Sequence, residues 1–126
     1  MSQFVAVGEL FRMDRISRVA GEFGKFIAEG DYFAAYNLLT EEAQAVRSPD
    51  EFKGAVAEMT TYAPGPIREV EVMEDYILEE WPDKKEHDLA VIYVALAGDG
   101  FNEGVTLTLT QERRHVRIRD VEWGRP

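Results

Sequence analysis

Apolar residues in the first quarter of the chain recur at the spacing of a helical turn. Charged residues occupy the opposite side, and some form i, i+4 pairs of opposite sign, such as Arg18 and Glu22. This pattern predicts an amphipathic helix that begins as early as Gly8 or Glu9 and ends at Gly30. Its apolar stripe consists of Ile16, Val19, Ala20, Phe23, Phe26 and Ile27.

Further helical segments are predicted from their capping residues. Asp31 suits the N-cap of a short helix from Tyr32 to about Leu39, and Thr40 opens one more turn after it. The segment Ser48-Pro49-Asp50-Glu51 has the complete capping-box pattern, with proline at the first helical position, so another helix begins there. The core-facing residues expected on these segments are Phe33, Tyr36, Leu39, Phe52, Val56 and Met59.

From Arg68 onward the apolar period changes from 3.6 residues to two, which is the period of β-strands. The sequence predicts a first strand that reaches Leu78 and a second from Leu89 to Ala97 that is apolar on both faces. A third strand is predicted around Val105 to Thr110, after a turn at Gly98-Asp99-Gly100. These strands are expected to form an antiparallel meander.

The fourth predicted strand contains a break in its alternation. Val116 and Ile118 share one face, whereas Val121 and Trp123 share the other. A slip of one residue predicts a β-bulge near Arg119-Asp120, and a bulge bends a sheet. The expected fold class is therefore α+β, with N-terminal helices packed on a curved antiparallel meander sheet.

The order of these elements resembles the nuclear transport factor 2-like superfamily, also called the cystatin-like cone fold. The resemblance is carried by AEGDYFAAYNLLT (residues 28–40), SPDEF (residues 48–52) and VRIRDVEWG (residues 116–124), and it extends over residues 9–124 of one domain, 1–126. It implies a cone in which the sheet and the helices enclose a pocket. It does not imply one activity, because this fold hosts enzymes, transport factors and toxin-immunity proteins.

Polar residues inside such a cone are candidates for chemistry. The alternation places Glu74 between Val72 and Tyr76 on the buried face, where a desolvated carboxylate could act as a general base. The alternative is that Glu74 turns outward or lies at an open rim. Pocket hydroxyl groups are expected from Tyr36, Tyr62, Tyr76 and Tyr93, although tyrosines also serve as core residues with a polar tip.

The histidines do not fit the pattern of the enzymes that this resemblance suggests, which pair an aspartate with a histidine or a tyrosine inside the cone. Both histidines, His87 and His115, fall in or beside predicted loops. The chain also has no cysteine, so we expect no metal site and no cofactor.

Basic residues concentrate at the final hairpin, where they either contact an anion or protect an edge strand. They are Arg113, Arg114, His115, Arg117 and Arg119.

The second strand suggests a contact surface. We expect Ile92, Val94 and Leu96 on the face away from the helices, beside Thr106 and Thr108 of the third strand. An apolar and threonine patch on an open sheet face predicts a partner, and dimerisation through that face is what the resemblance implies. The alternative is that a terminal segment of the chain covers this face.

Charge narrows the set of partners. The 14 basic and 24 acidic residues give a net charge of −10, which repels nucleic acid and anionic membranes and suits either a basic partner or solubility alone. No apolar run approaches the roughly 20 residues of a membrane span, and the N-terminus lacks a signal-peptide pattern, so we expect a cytoplasmic protein.

These patterns predict a non-catalytic binding or protein-interaction domain that forms a homodimer. Its partner could be a basic protein that it neutralises, as an immunity protein does, or a small apolar ligand. The alternative is a small-molecule lyase or isomerase that uses Glu74 and the tyrosines of the cone pocket.

Overall fold

The computed structural model describes residues 7–61 and 65–124. Within them the chain forms four helices followed by a four-stranded antiparallel sheet, which confirms the predicted fold class. The elements are α1 (Val7–Glu29), α2 (Tyr32–Tyr36), α3 (Glu41–Val46), α4 (Pro49–Thr61), β1 (Ile67–Val72), a 3-10 turn (Glu74–Tyr76), β2 (Asp88–Gly98), β3 (Phe101–Glu112) and β4 (His115–Trp123). The strand order is β1-β2-β3-β4, so β1 and β4 are the outer strands of an open sheet.

The helix boundaries follow from the predicted capping residues. Gly30 ends α1 in the left-handed region with a φ of +77°, and the Asp31 backbone N–H donates to the carbonyl of Phe26. At the start of α4, the Glu51 N–H donates to Ser48 Oγ at 3.1 Å, and Glu51 Oε1 accepts from the Ser48 N–H at 3.0 Å. These hydrogen bonds to the backbone and side chain of Ser48 lower the pKa of the Glu51 carboxyl. The predicted capping box is confirmed.

Helices cover one face of the sheet, and the core lies between them. Helix α1 approaches the sheet closely at Gly24, where an added Cβ would lie 2.6 Å from Val70 Cγ1 and 3.0 Å from Val94 Cγ1. The residues of largest volume that are fully buried are Ile16, Phe23, Phe52, Val56, Ile92, Val94, Leu96, Val105, Leu107, Leu109 and Ile118. Small size at the closest approach therefore lets α1 rest directly on β1 and β2.

Aromatic rings continue the core between the helices and β4. Phe52 makes edge-on contacts with Tyr36, at 5.8 Å between ring centroids, and with Phe23, at 6.1 Å. Phe23 lies 6.0 Å from Trp123. Aromatic pairs at these separations stabilise a core beyond the area they bury. In the described residues, packed rings occupy the space where the resemblance implies a pocket.

Besides a register shift between Ile67 and Glu69 on β1, the strand pairing is irregular at two places that lie close together. The β3–β4 register shifts between Thr108 and Leu109, and Arg119 is the extra residue on β4, which confirms the predicted bulge. A second shift lies between Asp88 and Ala90 on β2. Both irregularities lie toward the same end of the sheet, because Asp88 pairs with β3 two residues from Thr108.

The outer edge of β4 is partly covered by the segment before α3. Leu39 forms a parallel bridge with Ile118. The Thr40 N–H donates to the Ile118 carbonyl, and the Ile118 N–H donates to the Leu38 carbonyl, each at 2.9 Å. These bonds join the helical half to the sheet at its edge and satisfy backbone groups that an edge strand would otherwise expose.

Two expectations about side-chain burial were wrong. β1 ends at Val72 and not near Leu78, because the chain leaves the ladder and forms the 3-10 turn. Leu78 returns only as an isolated bridge to Val91 and is 52% exposed. Phe33, expected in the core, is 65% exposed because α2 is too short to bury more than one side, which carries Ala35 and Tyr36.

Candidate functional site

The sheet face opposite the helices is the candidate site. Residues that lie directly across from each other share a face, so the pairs Glu71–Ala95, Tyr93–Thr106 and Thr106–Glu122 define one continuous surface from β1 to β4. We call this surface the open face. It includes Glu69, Glu71, Val91, Tyr93, Ala95, Ala97, Asn102, Gly104, Thr106, Thr108, Asp120 and Glu122, and at one end it continues into Asp88, Thr110 and Arg117.

The predicted contact residues of β2 lie on the other side of the sheet. Ile92, Val94 and Leu96 are completely buried, and an alanine Cβ at Gly24 of α1 would contact both Val94 and Leu96. The prediction that they face away from the helices was wrong, because β2 is apolar on both faces and its alternation alone does not identify the covered face. The residues of β2 that face away from the helices are the adjacent ones, Val91, Tyr93 and Ala95.

Thr106 and Thr108 do lie on the open face, as predicted. Thr106 is opposite Tyr93 of β2, and Thr108 is opposite Val91. The Tyr93 ring lies over Gly104, where an added Cβ would be 1.9 Å from the phenolic oxygen. A glycine at this position leaves room for the ring to pack on the strand, and both Gly104 and Thr108 are buried on this face.

Carboxylates form a row along each side of the open face. Glu69 and Glu71 lie on β1, and Asp120 and Glu122 lie on β4; all four residues are exposed. In the described part of the chain, none of the four has a basic nitrogen within salt-bridge distance. Between the rows, the floor of the open face, from Val91 to Ala97 on β2 and from Asn102 to Thr108 on β3, carries only uncharged residues on this side. The charged pair of Asp88 and Arg119 lies at its Thr110 end. The two acidic rows are offset along the strands, because Glu69 and Glu71 lie level with Asn102 and Gly104, whereas Glu122 and Asp120 lie level with Thr106 and Thr108.

The proposed catalytic carboxylate lies outside any pocket. Glu74 is exposed in the 3-10 turn, and Tyr76 of the same turn is 68% exposed. Of the two interpretations of Glu74, the outward one is confirmed, since the strand on which the inward parity depended has ended at Val72. The two residues that the enzyme hypothesis brought together are both in solvent.

The other tyrosines proposed for the pocket have different surroundings. The Tyr36 hydroxyl is 2.7 Å from the backbone carbonyl oxygens of both Gln44 and Arg47, so it is used in holding the end of α3. Tyr93 lies on the open face and not in the interior. Tyr62 lies outside the described residues.

A buried ion pair joins β2 to the bulge on β4. The Asp88 side chain is 1% exposed and accepts from Arg119 Nε at 2.8 Å and from Arg119 Nη2 at 2.6 Å. It also accepts from the Lys85 backbone N–H at 2.8 Å, which fixes the end of the loop before β2. The bulge makes Arg119 available for this contact by giving β4 one residue more than β3.

Electrostatics at this pair favour structure over catalysis. Burial acts to raise the pKa of the Asp88 carboxyl, but hydrogen bonds from Arg119, the Lys85 backbone and Thr110, with the charge of Arg119, outweigh burial and lower it. The hydrogen bond to Asp88 raises the pKa of Arg119. A carboxylate that accepts this many hydrogen bonds is a weak base, so Asp88 and Arg119 act as a structural clamp.

The basic residues of the last hairpin are mostly engaged with the protein itself. Arg113 forms a salt bridge with Glu41 at 3.1 Å, and Arg117 donates to the Asn37 carbonyl. Together with Arg119 they fasten β4 to the segment that covers its edge. The histidines His87 and His115 are exposed, as predicted. Fewer arginines of this hairpin are therefore available to contact an anion than the sequence suggested.

Two of the shallow grooves between the helices and β4 in the described part of the chain have apolar side chains in their walls. One, of about 240 Å³, has Phe52 and Val46 in its wall, and the other, of about 420 Å³, has Met59 and Trp123. Arg47 and Val121 line both. Both are open to solvent, and they include none of the predicted pocket residues.

Sequence reasoning missed the acidic rows and Asp88. The rows were readable in principle, since Glu69, Glu71, Asp120 and Glu122 alternate with apolar residues on two strands. Asp88 gives no local signal, because its partner is 31 positions away in the chain.

The described residues contain no group of three or more histidine and acidic side chains that could hold a metal ion. No helix in this part of the chain is both long and apolar enough to span a bilayer. Comparison with known proteins found no matching family model, no matching curated protein and no matching solved structure. The function therefore has to be argued from the open face itself.

Proposed function

We propose that this protein is a non-catalytic interaction domain that binds a basic protein partner on its open face. The observation that carries the proposal is the pair of exposed carboxylate rows on the outer strands of the open face, Glu69 with Glu71 and Asp120 with Glu122, which form no salt bridge with the described residues. A surface of this kind attracts positive charge over a distance of about 10 Å at 0.1 M salt. Its floor offers small side chains for close packing.

A second copy of the chain fits this surface less well than a basic partner. Each copy has a net charge of −10, so a dimer through the open face brings like-charged rows together. Arg117 and Arg119, which could neutralise them, are bonded to Asn37 and Asp88. The predicted homodimer is therefore the competing occupant of the same face, and solution mass distinguishes it.

Catalysis has weaker support than binding. Glu74 is exposed, and Asp88 is held as an ionised carboxylate by Arg119. We retain the proposed kinship with the nuclear transport factor 2-like superfamily, supported by helices that precede a bent meander sheet. The aromatic filling of the interior departs from the pocket that this kinship implies.

The test compares two neutralised variants of equal net charge. The face variant carries Glu69→Gln, Glu71→Gln, Asp120→Asn and Glu122→Gln. The control variant carries four amide substitutions at exposed acids away from the open face, namely Asp14→Asn, Glu29→Gln, Glu58→Gln and Glu79→Gln. Both retain the fold if their thermal unfolding matches that of the parent protein.

Immobilised parent and control proteins should capture the same basic proteins from the native host, and the face variant should lose them. Cross-links from the captured protein should map to the rim of the open face. Equal capture by the face variant and the control would reject the proposal, because net charge alone would then explain binding. A stable dimer of the free protein, seen by sedimentation and lost in variants of the floor residue Thr106, would replace the basic partner with a second copy.

A further inference from the structure

A second charged region of the molecule is a cleft beside the β3–β4 hairpin. The cleft has a volume of about 260 Å³ and lies where α1 and residue 38 meet the start of β4. Four arginines and one histidine line it, and none of the described residues in its wall is acidic. We call these five residues the basic cleft: Arg15, Arg18, Arg114, His115 and Arg117.

The fold brings the arginines of the basic cleft together from two distant parts of the chain. Arg15 and Arg18 are three positions apart on α1, so they lie on one side of the helix. The hairpin supplies the other two arginines. Sequence alone does not place α1 beside the hairpin, so the contribution of α1 to an anion contact could not be predicted. Helix α1 replaces the cations that the hairpin uses for internal bonds.

Protection of the β4 edge does not explain this concentration of charge. Beside the cleft, the edge is already paired, because the Ile118 N–H donates to the Leu38 carbonyl and the Ile118 carbonyl accepts from the Thr40 N–H. An edge whose backbone groups are satisfied needs no cationic side chains to keep other strands away. The alternative interpretation of the hairpin arginines, an anion contact, is therefore favoured.

Most of the positive charge in the basic cleft is not neutralised by the protein. Arg15, Arg18 and Arg114 form no salt bridge with another described residue. Arg18 and Glu22 have the spacing of a helical ion pair, but they are not within salt-bridge distance. Guanidinium groups gathered in one cleft repel each other, and a bound anion would relieve this repulsion.

The acidic residues of the adjoining groove have other partners. Glu41 and Glu112 line that groove. Glu41 forms its salt bridge with Arg113, and Glu112 accepts a hydrogen bond from the Glu41 backbone N–H at 3.0 Å. Arg117 is the one arginine of the basic cleft with a hydrogen bond to a described residue, the carbonyl of Asn37, which is neutral. The cleft therefore keeps its positive charge in a protein whose net charge is −10.

Arg15 has a buried donor without an acceptor. Its side chain is partly buried, and its Nε atom is buried and has no hydrogen-bond partner among the described residues. An unsatisfied donor of a charged group is costly, and a bound ion is one of the ways in which proteins satisfy such a group. A guanidinium donates two parallel hydrogen bonds to one phosphate group, so a phosphate in the cleft would supply the acceptor.

The number of cations and the size of the cleft restrict the ligand. A phosphate monoester carries a charge of about −1.5 to −2 at pH 7 and three acceptor oxygens, so it suits several arginines better than a carboxylate does. The volume of about 260 Å³ is below the roughly 300–1,000 Å³ of sites for drug-sized ligands. Val19 and Leu38 also line the cleft and offer apolar contact to a short carbon skeleton.

We propose that the basic cleft binds the phosphate group of a small, freely diffusing phosphate monoester. Arg15 and Arg18 contact the phosphate from α1, and Arg114 contacts it from the hairpin. The net charge of −10 opposes the approach of nucleic acids and anionic membranes, which are extended polyanions. The basic cleft contains none of the residues of the two carboxylate rows, so this inference does not depend on the partner proposed for the open face.

The experiment measures binding of glycerol phosphate, inorganic phosphate and acetate to the full protein by calorimetry. The cleft variant carries Arg18→Gln and Arg114→Gln, two exposed residues whose replacement should leave the fold intact. The control variant carries Lys25→Gln and Lys53→Gln, which are exposed, lie outside the cleft and change the net charge equally. Matching thermal unfolding of both variants and the parent protein establishes that the fold is retained.

Glycerol phosphate should bind the parent at least tenfold more tightly than acetate, and its affinity should fall with added salt. The cleft variant should lose at least tenfold in affinity, and the control variant should stay within twofold of the parent. The Nε–H resonance of Arg15 should shift during the titration. Arg15→Lys keeps the charge but not the two-donor geometry, so it should weaken binding several-fold.

Three results would overturn the proposal. Equal affinities of the cleft and control variants would show that net charge alone attracts the anion. Absence of binding by every phosphate compound at millimolar concentration would reject the site. If a phosphoserine peptide or vesicles containing phosphatidic acid bound through Arg18 and Arg114 while glycerol phosphate did not, the cleft would recognise phosphate on a macromolecule or a membrane and not on a small molecule.

Discussion

Replacing Asp88 with asparagine should destabilise the fold strongly without changing side-chain volume. The carboxylate is 1% exposed and accepts two hydrogen bonds from Arg119 and one from the Lys85 backbone. Asparagine has one acceptor oxygen, and its amide group would face donors. The Arg119 guanidinium would then lose its partner while still largely buried.

The expected loss follows from the burial of the two partners. Breaking a fully buried ion pair on one side costs about 3–5 kcal/mol. The Arg119 side chain is 24% exposed, so water would partly hydrate the unpaired guanidinium. We therefore expect the free energy of unfolding to fall by about 2–4 kcal/mol. For a domain of this size, about 3 kcal/mol lowers Tm by roughly 10 °C. Urea unfolding followed by circular dichroism measures the difference.

The pH dependence of this difference has a defined sign. The pKa of Asp88 is lowered in the folded protein, and an unfolded aspartate titrates near about 3.9. The stabilisation is therefore complete above that pH and is lost as pH falls through the folded-state pKa. The gap between the parent and Asp88→Asn should be constant between about pH 5 and 8 and should shrink below about pH 4.

An exposed ion pair provides the control. Arg113→Ala removes the salt bridge to Glu41, in which both side chains are more than two-thirds exposed, and should change stability by less than about 0.5 kcal/mol. The clamp interpretation is refuted if Asp88→Asn also lies within about 1 kcal/mol of the parent. A difference in stability between the parent and Asp88→Asn that grows in acid would contradict a lowered pKa of Asp88.

Three further substitutions test the local structure by chemical unfolding. Gly24→Ala should destabilise by about 1–2 kcal/mol, because its Cβ would meet Val70 Cγ1 at 2.6 Å and this overpacking exceeds the gain in helix propensity. Gly54→Ala on α4 places its new Cβ in open space and should stabilise the protein by about 0.5–1 kcal/mol. If both glycine substitutions changed the free energy of unfolding in the same direction, the close approach of α1 to the sheet would be contradicted. Ser48→Ala should cost about 1 kcal/mol by removing the N-cap oxygen, with Ser48→Thr restoring most of it, and an unchanged unfolding midpoint would show that the cap is not needed.

The architecture was predictable because its signals are local. A capping box at Ser48, a glycine at the end of α1 and a parity slip around Arg119 each lie within a few residues and each specify backbone geometry. Such features survive in any tertiary context that is compatible with them. The element order and the bulge were therefore readable from the chain.

The faces of the strands were not predictable by the same means. β2 is apolar on both sides, so only the position of α1, set by the close contact at Gly24, decides that Ile92 is covered and Tyr93 is not. The inward interpretation of Glu74 fails because its parity was extended beyond the real end of β1. Both cases concern three-dimensional packing, which alternation along one strand does not encode.

Carboxyl footprinting tests the central claim most directly. A carbodiimide couples a small amine to accessible carboxylates, and mass spectrometry measures labelling with and without the captured basic partner. We predict that Glu69, Glu71, Asp120 and Glu122 lose most of their labelling on binding, while the exposed acids Glu29, Glu58 and Glu79 keep theirs. Protection of those three acids, with the two rows still labelled, would contradict the assignment of the open face as the binding surface.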